Sequence, residues 1–181
     1  SVIGGDDAHE DCNELIINSG TIYVGSTKAE NCSAIGGGGN GYSRITINGG
    51  VVTAVASGTG TAIGGGTGVD AAGGKGIVTI NNGNIYAYNH ANCLNIPTSA
   101  IGGAGSQKKD GNVGIVTING GNVYAVSALG PAIGGGSSEY LKGGSAEVYI
   151  YDGYVVAKSE ADNPNNLIDM FGRKLLFLCD K

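Results

Sequence analysis

Short runs of alternating apolar and polar residues recur along the chain, and each run leads into glycine. The clearest is Val116-Thr117-Ile118-Asn119-Gly120-Gly121, in which every second side chain is apolar before the turn. A period of two is typical of β-strands with one buried face, and Asn-Gly indicates a turn that needs positive φ. Helical periodicity is absent up to about Asp162. The pattern therefore predicts an all-β fold.

The alternating runs belong to a longer repeat that opens on an apolar-Gly-Gly motif. The motif occurs five times, at isoleucines separated by 32, 28, 38 and 32 residues: Ile3, Ile35, Ile63, Ile101 and Ile133. In each repeat the alternating run follows, and a third short apolar run such as Asn122-Val123-Tyr124-Ala125 comes after the turn. Three short strands per repeat predict a right-handed parallel β-helix, or β-solenoid, of triangular section.

The repeats define the domain organisation. Five three-strand rungs, starting near residues 1, 33, 61, 99 and 131, fill residues 1–161. The spacing between repeats varies, and we expect the variation to lie in the corner after each glycine run. Residues 162–181 break the pattern and contain both phenylalanines and the only methionine. Because the open end of a solenoid needs a cover, these residues are predicted to form an atypical C-terminal cap.

The two-residue period also predicts which side chains face inward. In the second strand we expect an apolar inner column, comprising Ile45, Ile47, Val78, Ile80, Val116 and Ile118. The threonines between them, Thr46, Thr79 and Thr117, are expected to face solvent. In the third strand the outward column is predicted to contain Tyr23, Thr53, Tyr86, Tyr124 and Val156.

Composition narrows the function classes. Glycine accounts for 36 of the 181 residues, charged residues for only 14%, and the net charge is −5. No basic stripe is present, so nucleic-acid binding is not expected. No apolar run approaches the roughly 20 residues of a membrane-spanning helix, so membrane insertion is not expected either. The chain begins at Ser1, which we interpret as a removed leader or a piece of a larger secreted protein.

Cysteine and histidine are too few and too scattered to predict a metal site or a cofactor. The chain has two histidines and four cysteines, with no Cys-x-x-Cys pair. Two interpretations of the cysteines remain open. Either disulfides form, for which Cys12 with Cys32 is the easiest pair to envisage, or Cys12, Cys32, Cys93 and Cys179 are all buried thiols.

The predicted tyrosine column is the first candidate site. Tyr23, Tyr86 and Tyr124 would lie in one line on the outer surface. Aromatic rings repeated at the roughly 4.8 Å spacing of strands could offer flat faces to sugar rings or to the side chains of a partner. The alternative is that tyrosine serves here only as a favourable outward strand residue.

Two further candidates are weaker. Asp70, Asp110 and Glu139 lie after the glycine runs of three successive repeats, and carboxylates gathered on one edge could act as acid and base on a polysaccharide. The simpler interpretation is that they solubilise a chain with few charges. The threonine column suggests ice binding, because repeated hydroxyls and methyls can match ordered water. Ile16 and Tyr149 interrupt this column, however, and a plain solvated strand face is the alternative.

The motifs Ala-Ile-Gly-Gly-Gly, Ile-Thr-Ile-Asn-Gly-Gly and Val-x-Ala resemble the glycine-rich repeats of large secreted and surface-attached proteins of bacteria and protozoa. In architecture the chain resembles the pectate-lyase-like right-handed β-helix superfamily. That superfamily includes lyases, hydrolases and adhesins, and none of its catalytic motifs is matched. The resemblance implies an extracellular or cell-surface module. We expect it to be non-catalytic and to bind a glycan or a surface or matrix protein, or to act as a rigid spacer; a small polysaccharide-active enzyme is the alternative.

Overall fold

The computed structural model describes residues 1–5, 12–26, 31–90, 96–138 and 140–160, without the side chains of Cys12, Asn13 and Ser26. These residues form fifteen β-strands, and no helix occurs among them. None of them could therefore provide a helix that crosses a membrane. The predicted cap, residues 162–181, lies outside the described residues, as do Glu139, Cys93 and Cys179.

Each repeat contributes three strands, and the three kinds differ in length. The first kind covers two residues of the Ile-Gly motif: β1 (Ile3–Gly4), β4 (Ile35–Gly36), β7 (Ile63–Gly64), β10 (Ile101–Gly102) and β13 (Ile133–Gly134). The second kind is the alternating run: β2 (Cys12–Ile17), β5 (Ser43–Ile47), β8 (Gly76–Ile80), β11 (Gly114–Ile118) and β14 (Ala146–Ile150). The third kind follows the turn: β3 (Thr21–Ser26), β6 (Val51–Ala56), β9 (Asn84–Asn89), β12 (Asn122–Ser127) and β15 (Tyr154–Ser159).

Strands of one kind pair with one another in parallel and build three five-stranded sheets. The first sheet has the order β1-β4-β7-β10-β13, the second β2-β5-β8-β11-β14 and the third β3-β6-β9-β12-β15. Equivalent residues are in register, as Ile63 with Ile101 and Tyr86 with Tyr124 show. Among the described strand pairs, the one irregularity is a register shift in β2 between Cys12 and Leu15. The predicted parallel β-solenoid is confirmed.

The inner columns form a continuous apolar core. All six residues predicted to face inward on the second strand are fully buried. The intervening threonines are half-buried, because their neighbours in the sheet cover part of each side chain. Alanine lines the inner side of the third sheet at Ala54, Ala87 and Ala125, which are fully buried.

The predicted location of the length variation is wrong in part. The corner between the first and second strands contains six residues in 37–42 but eleven in each of 65–75, 103–113 and 135–145. The corner between the third strand and the next repeat also varies, with six residues in 57–62 and five in 128–132, but eleven in 90–100. The long spacing of 38 residues therefore comes from this second corner. Each turn between the second and third strands has three residues.

The glycine of each Ile-Gly strand is required by a close approach between rungs. Gly64 has a φ of +145°, and a Cβ atom added there would lie 2.0 Å from the carbonyl oxygen of Gly102. The same contact recurs between Gly36 and Gly64 and between Gly102 and Gly134. The first sheet therefore packs backbone against backbone, and only glycine fits this column.

A buried hydroxyl two residues before the isoleucine forms a hydrogen bond that spans each Ile-Gly strand. The side chains of Ser33, Thr61 and Ser99 are buried, and each donates a hydrogen bond to the carbonyl of the glycine four residues later, at 2.8, 3.0 and 2.7 Å. The fifth repeat has Pro131 at this position. These bonds satisfy carbonyls that face the interior, where an unpaired polar atom is costly.

Ser43, at the start of β5, is a buried hydroxyl without such a hydrogen bond. Its Oγ is buried and has no hydrogen-bond partner among the described residues. Since a buried unpaired hydroxyl costs free energy, we expect Ser43→Ala to raise the free energy of unfolding by about 1 kcal/mol. Alanine occupies the equivalent position in the fifth repeat, Ala146. Urea denaturation followed by circular dichroism measures the change.

Ser33→Ala is the matched control, because Ser33 is equally buried but its hydroxyl is hydrogen-bonded. This variant is expected to lower the free energy of unfolding by about 1 kcal/mol. Destabilisation of similar size in both variants would mean that the Ser43 hydroxyl has a partner in solution.

Candidate functional site

The outer surface of the third sheet contains a cluster of aromatic side chains, which we call the tyrosine face: Tyr86, Tyr88, Tyr124 and Tyr154. The in-register pairing of β9 with β12 places Tyr86 beside Tyr124, and their ring centroids are 5.3 Å apart with the planes inclined by only 11°. Tyr154, one rung further, lies 5.9 Å from Tyr124 with its ring tilted by 58°. Three rungs thus share one aromatic row.

Tyr23 belongs to the same column but not to this cluster. The register runs from Tyr23 to Thr53 and then to Tyr86, so a threonine separates it from the other rings. The Tyr23 side chain is 77% exposed, and its Cε1 lies over Gly25 of its own strand. Of the three tyrosines predicted to form a site, the structure brings two together and leaves the third apart.

The stacking changes what the row can offer to a ligand. Because the rings of Tyr86 and Tyr124 are nearly parallel, one face of each ring is turned towards the other. The expectation of open flat faces therefore does not hold for the two ring faces that are turned towards each other. A ligand would meet the ring edges and the phenol hydroxyls, which can donate and accept hydrogen bonds.

Sequence reasoning missed Tyr88, His90 and Tyr154 as members of this surface. Tyr88 and His90 are stacked, with centroids 6.0 Å apart and planes inclined by 4°. The two-residue period contained the necessary information, because Tyr86, Tyr88 and His90 are spaced by two. Tyr154 is in register with Asn122 rather than Tyr124, so its contact is diagonal and a search along columns does not find it.

The tyrosine face is uncharged along most of its length. The outward residues of β3, β6, β9 and β12 include no acidic or basic side chain. Asn122 Nδ2 donates a hydrogen bond of 2.8 Å to Asn84 Oδ1 on the same strand pair as the stacked rings. Among the outward strand residues that the structure describes on this sheet, charge enters in the last rung, where Lys158 Nζ lies 2.9 Å from Glu160 Oε1. The hydrogen bond from Lys158 and its positive charge hold the pKa of Glu160 below its usual value.

The second sheet presents a different outer surface. Thr46, Thr79 and Thr117 form the expected column between Ile16 and Tyr149. Beside it, four asparagine side chains are linked in a ladder of amide hydrogen bonds of 2.7–2.8 Å that joins Asn18, Asn48, Asn81 and Asn119. The ladder ties the exposed turns of four rungs together.

The two candidate aspartates that the structure describes each have a partner other than a carboxylate. Asp70 is opposite Lys108 of the next rung, and their Oδ1 and Nζ atoms are 2.7 Å apart. Hydrogen bonding to Asp70, with its charge, raises the pKa of Lys108. Asp110 lies two residues beyond Lys108 and accepts a hydrogen bond from the backbone N–H of Lys142 at 3.3 Å. Both aspartates are exposed, and Glu139 lies outside the described residues.

Cys32 is half-buried and forms no disulfide with any side chain that the structure describes. The side chains of Cys12, Cys93 and Cys179 lie outside the described residues, so the pairing of the cysteines stays a prediction. Within the part of the chain that the structure describes, no three side chains of His, Cys, Asp or Glu form a group suited to a metal ion. Comparison with protein-family models, with curated proteins and with solved structures finds no match to this chain.

Proposed function

We propose that this chain is a non-catalytic, extracellular β-solenoid module that binds an uncharged glycan through its tyrosine face. The observation that supports the proposal is the row of Tyr86, Tyr124 and Tyr154, held in consecutive rungs on a surface without charge in its first four rungs. An uncharged surface of this kind favours a neutral ligand, since an acidic glycan would lose its hydration without gaining a cation.

The chemistry of the row suits a linear polysaccharide lying along the solenoid axis. Phenol hydroxyls and the amides of Asn84 and Asn122 provide hydrogen bonds, while ring edges and Val126 provide apolar contact. These groups repeat at the roughly 4.8 Å spacing of the strands, so successive sugars would meet similar surroundings. Tyrosine contributes such contacts at a low cost in conformational entropy, which is why it is frequent in binding surfaces.

The extracellular assignment rests on the low charge and high glycine content and on the resemblance to surface-protein repeats. A stack of in-register rungs with a buried core would also hold the binding face in a fixed shape, as a rigid spacer requires. Asp70 is engaged with Lys108 on an exposed corner, and this supports a role in solubility rather than in catalysis.

We expect the double variant Tyr86→Ala/Tyr124→Ala to weaken glycan binding by about tenfold or more, since central aromatic contacts dominate binding energy in most interfaces. A panel of immobilised neutral and acidic glycans identifies the ligand, and calorimetry with that ligand measures the loss. The thermal midpoint of each variant is recorded in parallel, so that unfolding is not mistaken for lost contact.

Tyr149→Ala/Tyr151→Ala is the matched control, because these rings are also stacked, at 6.5 Å and 7°. Tyr149 lies in β14 of the second sheet and Tyr151 in the turn after it, away from the tyrosine face. The control is expected to keep the affinity of the unaltered chain. Equal loss in both double variants, or binding of acidic glycans alone, would contradict the assignment of the tyrosine face. If the chain bound a protein but no glycan, the proposal of a glycan ligand would be wrong.

A further inference from the structure

Several turns of the solenoid contain asparagine followed by glycine, a chemically labile sequence. Glycine has no Cβ atom to keep its amide nitrogen away from the preceding side chain, so this nitrogen can attack the asparagine amide. The sequence occurs four times in the chain, at Asn40, Asn48, Asn82 and Asn119. The last three follow the second strand of their repeats and are all exposed, so access to water does not distinguish them.

Two of these three asparagines belong to the asparagine ladder, which consists of Asn18, Asn48, Asn81 and Asn119. Asn48 Nδ2 donates a hydrogen bond of 2.8 Å to Asn18 Oδ1, and Asn48 Oδ1 accepts one of 2.7 Å from Asn81. Asn119 Nδ2 donates to Asn81 Oδ1 at 2.7 Å. The ladder thus directs both amides towards neighbouring rungs. At least one hydrogen bond must break before either side chain can turn to the glycine that follows it.

Asn82 has a different arrangement, because its side chain bonds within its own turn. The backbone N–H of Gly83 donates a hydrogen bond of 2.8 Å to Asn82 Oδ1. The nitrogen that would attack is therefore already held against the amide group, and such proximity is a large part of the acceleration in intramolecular reactions. At Asn40 the corresponding N–H, that of Gly41, donates instead to the carbonyl of Gly38 at 2.8 Å.

We propose that Asn82 is a site of spontaneous deamidation, and that the asparagine ladder protects Asn48 and Asn119 from the same reaction. The Gly83 nitrogen forms a bond to Cγ of Asn82, the bond from Cγ to Nδ2 breaks, and ammonia leaves with the proton of the Gly83 N–H. Water then opens the cyclic imide at one of its two carbonyls and yields aspartate or isoaspartate. This inference does not depend on the glycan proposal.

Either product alters the turn between β8 and β9. Aspartate adds a negative charge beside the uncharged ladder. Isoaspartate adds a methylene group to the backbone of a turn that has three residues in every repeat. The neighbouring backbone is close, because a Cβ atom added at Gly83 would lie 2.7 Å from the carbonyl oxygen of Gly50. The isoaspartate form is therefore expected to have a lower thermal midpoint than the unaltered chain.

The test follows each asparagine separately in the full chain. The protein is incubated in mildly alkaline buffer, and peptide mass spectrometry measures the fraction converted at each position. Asn82 is expected to convert at least about tenfold faster than Asn48 and Asn119, because the ladder bonds slow the other two by about that factor. The three rates should become similar in urea, where the fold is lost. Equal rates in the folded chain, or an unchanged ratio in urea, would overturn the proposal.

Asn81→Ala tests the protective role of the ladder. The substitution removes the acceptor of Asn119, whose conversion is expected to rise by about tenfold, whereas Asn48 still donates to Asn18 and should change less. Thr79→Ala is the control, because it alters the outer face of the same strand without removing a ladder amide. Unchanged conversion of Asn119 in Asn81→Ala, or an equal rise in Thr79→Ala, would show that the ladder does not protect. The thermal midpoint of each variant excludes unfolding as the cause.

Discussion

Gly64→Ala is expected to lower the free energy of unfolding by at least about 3 kcal/mol, enough to unfold a large share of the molecules in a marginally stable domain. Two effects add at this position. The φ of +145° is strained for any residue with a Cβ atom, and the new Cβ would lie 2.0 Å from the carbonyl oxygen of Gly102. Neither backbone can move without breaking the first sheet. Urea denaturation followed by circular dichroism measures the loss.

Two other glycines separate the contributions. Gly20 has a φ of +109° but no atom within 4 Å of an added Cβ, so Gly20→Ala should cost only about 1–2 kcal/mol from backbone strain. Gly143 has no positive φ and its nearest neighbour would be 3.8 Å away, so Gly143→Ala should change stability by less than about 0.5 kcal/mol. If Gly64→Ala cost no more than Gly20→Ala, close approach would not be what excludes side chains from this column.

Ile80→Ala is expected to lower the free energy of unfolding by about 2–5 kcal/mol. Ile80 is fully buried in the third rung, with Ile47 and Ile118 in register on either side. The column is enclosed on both sides by neighbouring rungs, so the cavity left by the substitution is difficult to fill. Calorimetric or urea denaturation of the variant determines the cost.

The adjacent residue supplies the comparison. Thr79 lies on the outer surface of the same strand and is half-buried, so Thr79→Ala should cost less than about 1 kcal/mol. Similar losses of stability in Ile80→Ala and Thr79→Ala would contradict the assignment of an inner and an outer face to β8. Thr79→Ala also interrupts the threonine column, and unchanged ice growth in its presence and in that of the unaltered chain would remove the ice-binding alternative.

The register of the solenoid was predictable from sequence because equivalent residues of neighbouring repeats are chemically alike. Ile63 meets Ile101 and Val78 meets Val116, so aligning the repeats was sufficient to align the strands. The inner and outer faces followed from the two-residue period for the same reason. Handedness and the cap stay predictions.

The candidate sites were harder to predict from sequence, because they depend on side-chain direction and on corners without periodicity. The period placed Tyr86 and Tyr124 in one column but gave no information on χ angles, and these angles decide that the two rings stack on each other. The hydroxyl of Ser33 turns inward in a corner where no alternation guides the assignment. Asp70 and Asp110 were grouped by their position after a glycine run. Counting from Gly64 and Gly102 would instead have matched Asp70 with Lys108.

The distribution of corner lengths has a consequence for how such a gene can change. Corners of five to eleven residues join strands whose register is the same, whereas the turn between the second and third strands keeps three residues in all five repeats. Within this chain, differences in repeat length are therefore accommodated at two of the three edges and not at the third. Duplication of one whole repeat adds a rung without disturbing its neighbours. A chain built of this repeat can thus gain or lose whole rungs while the surface on each face is preserved.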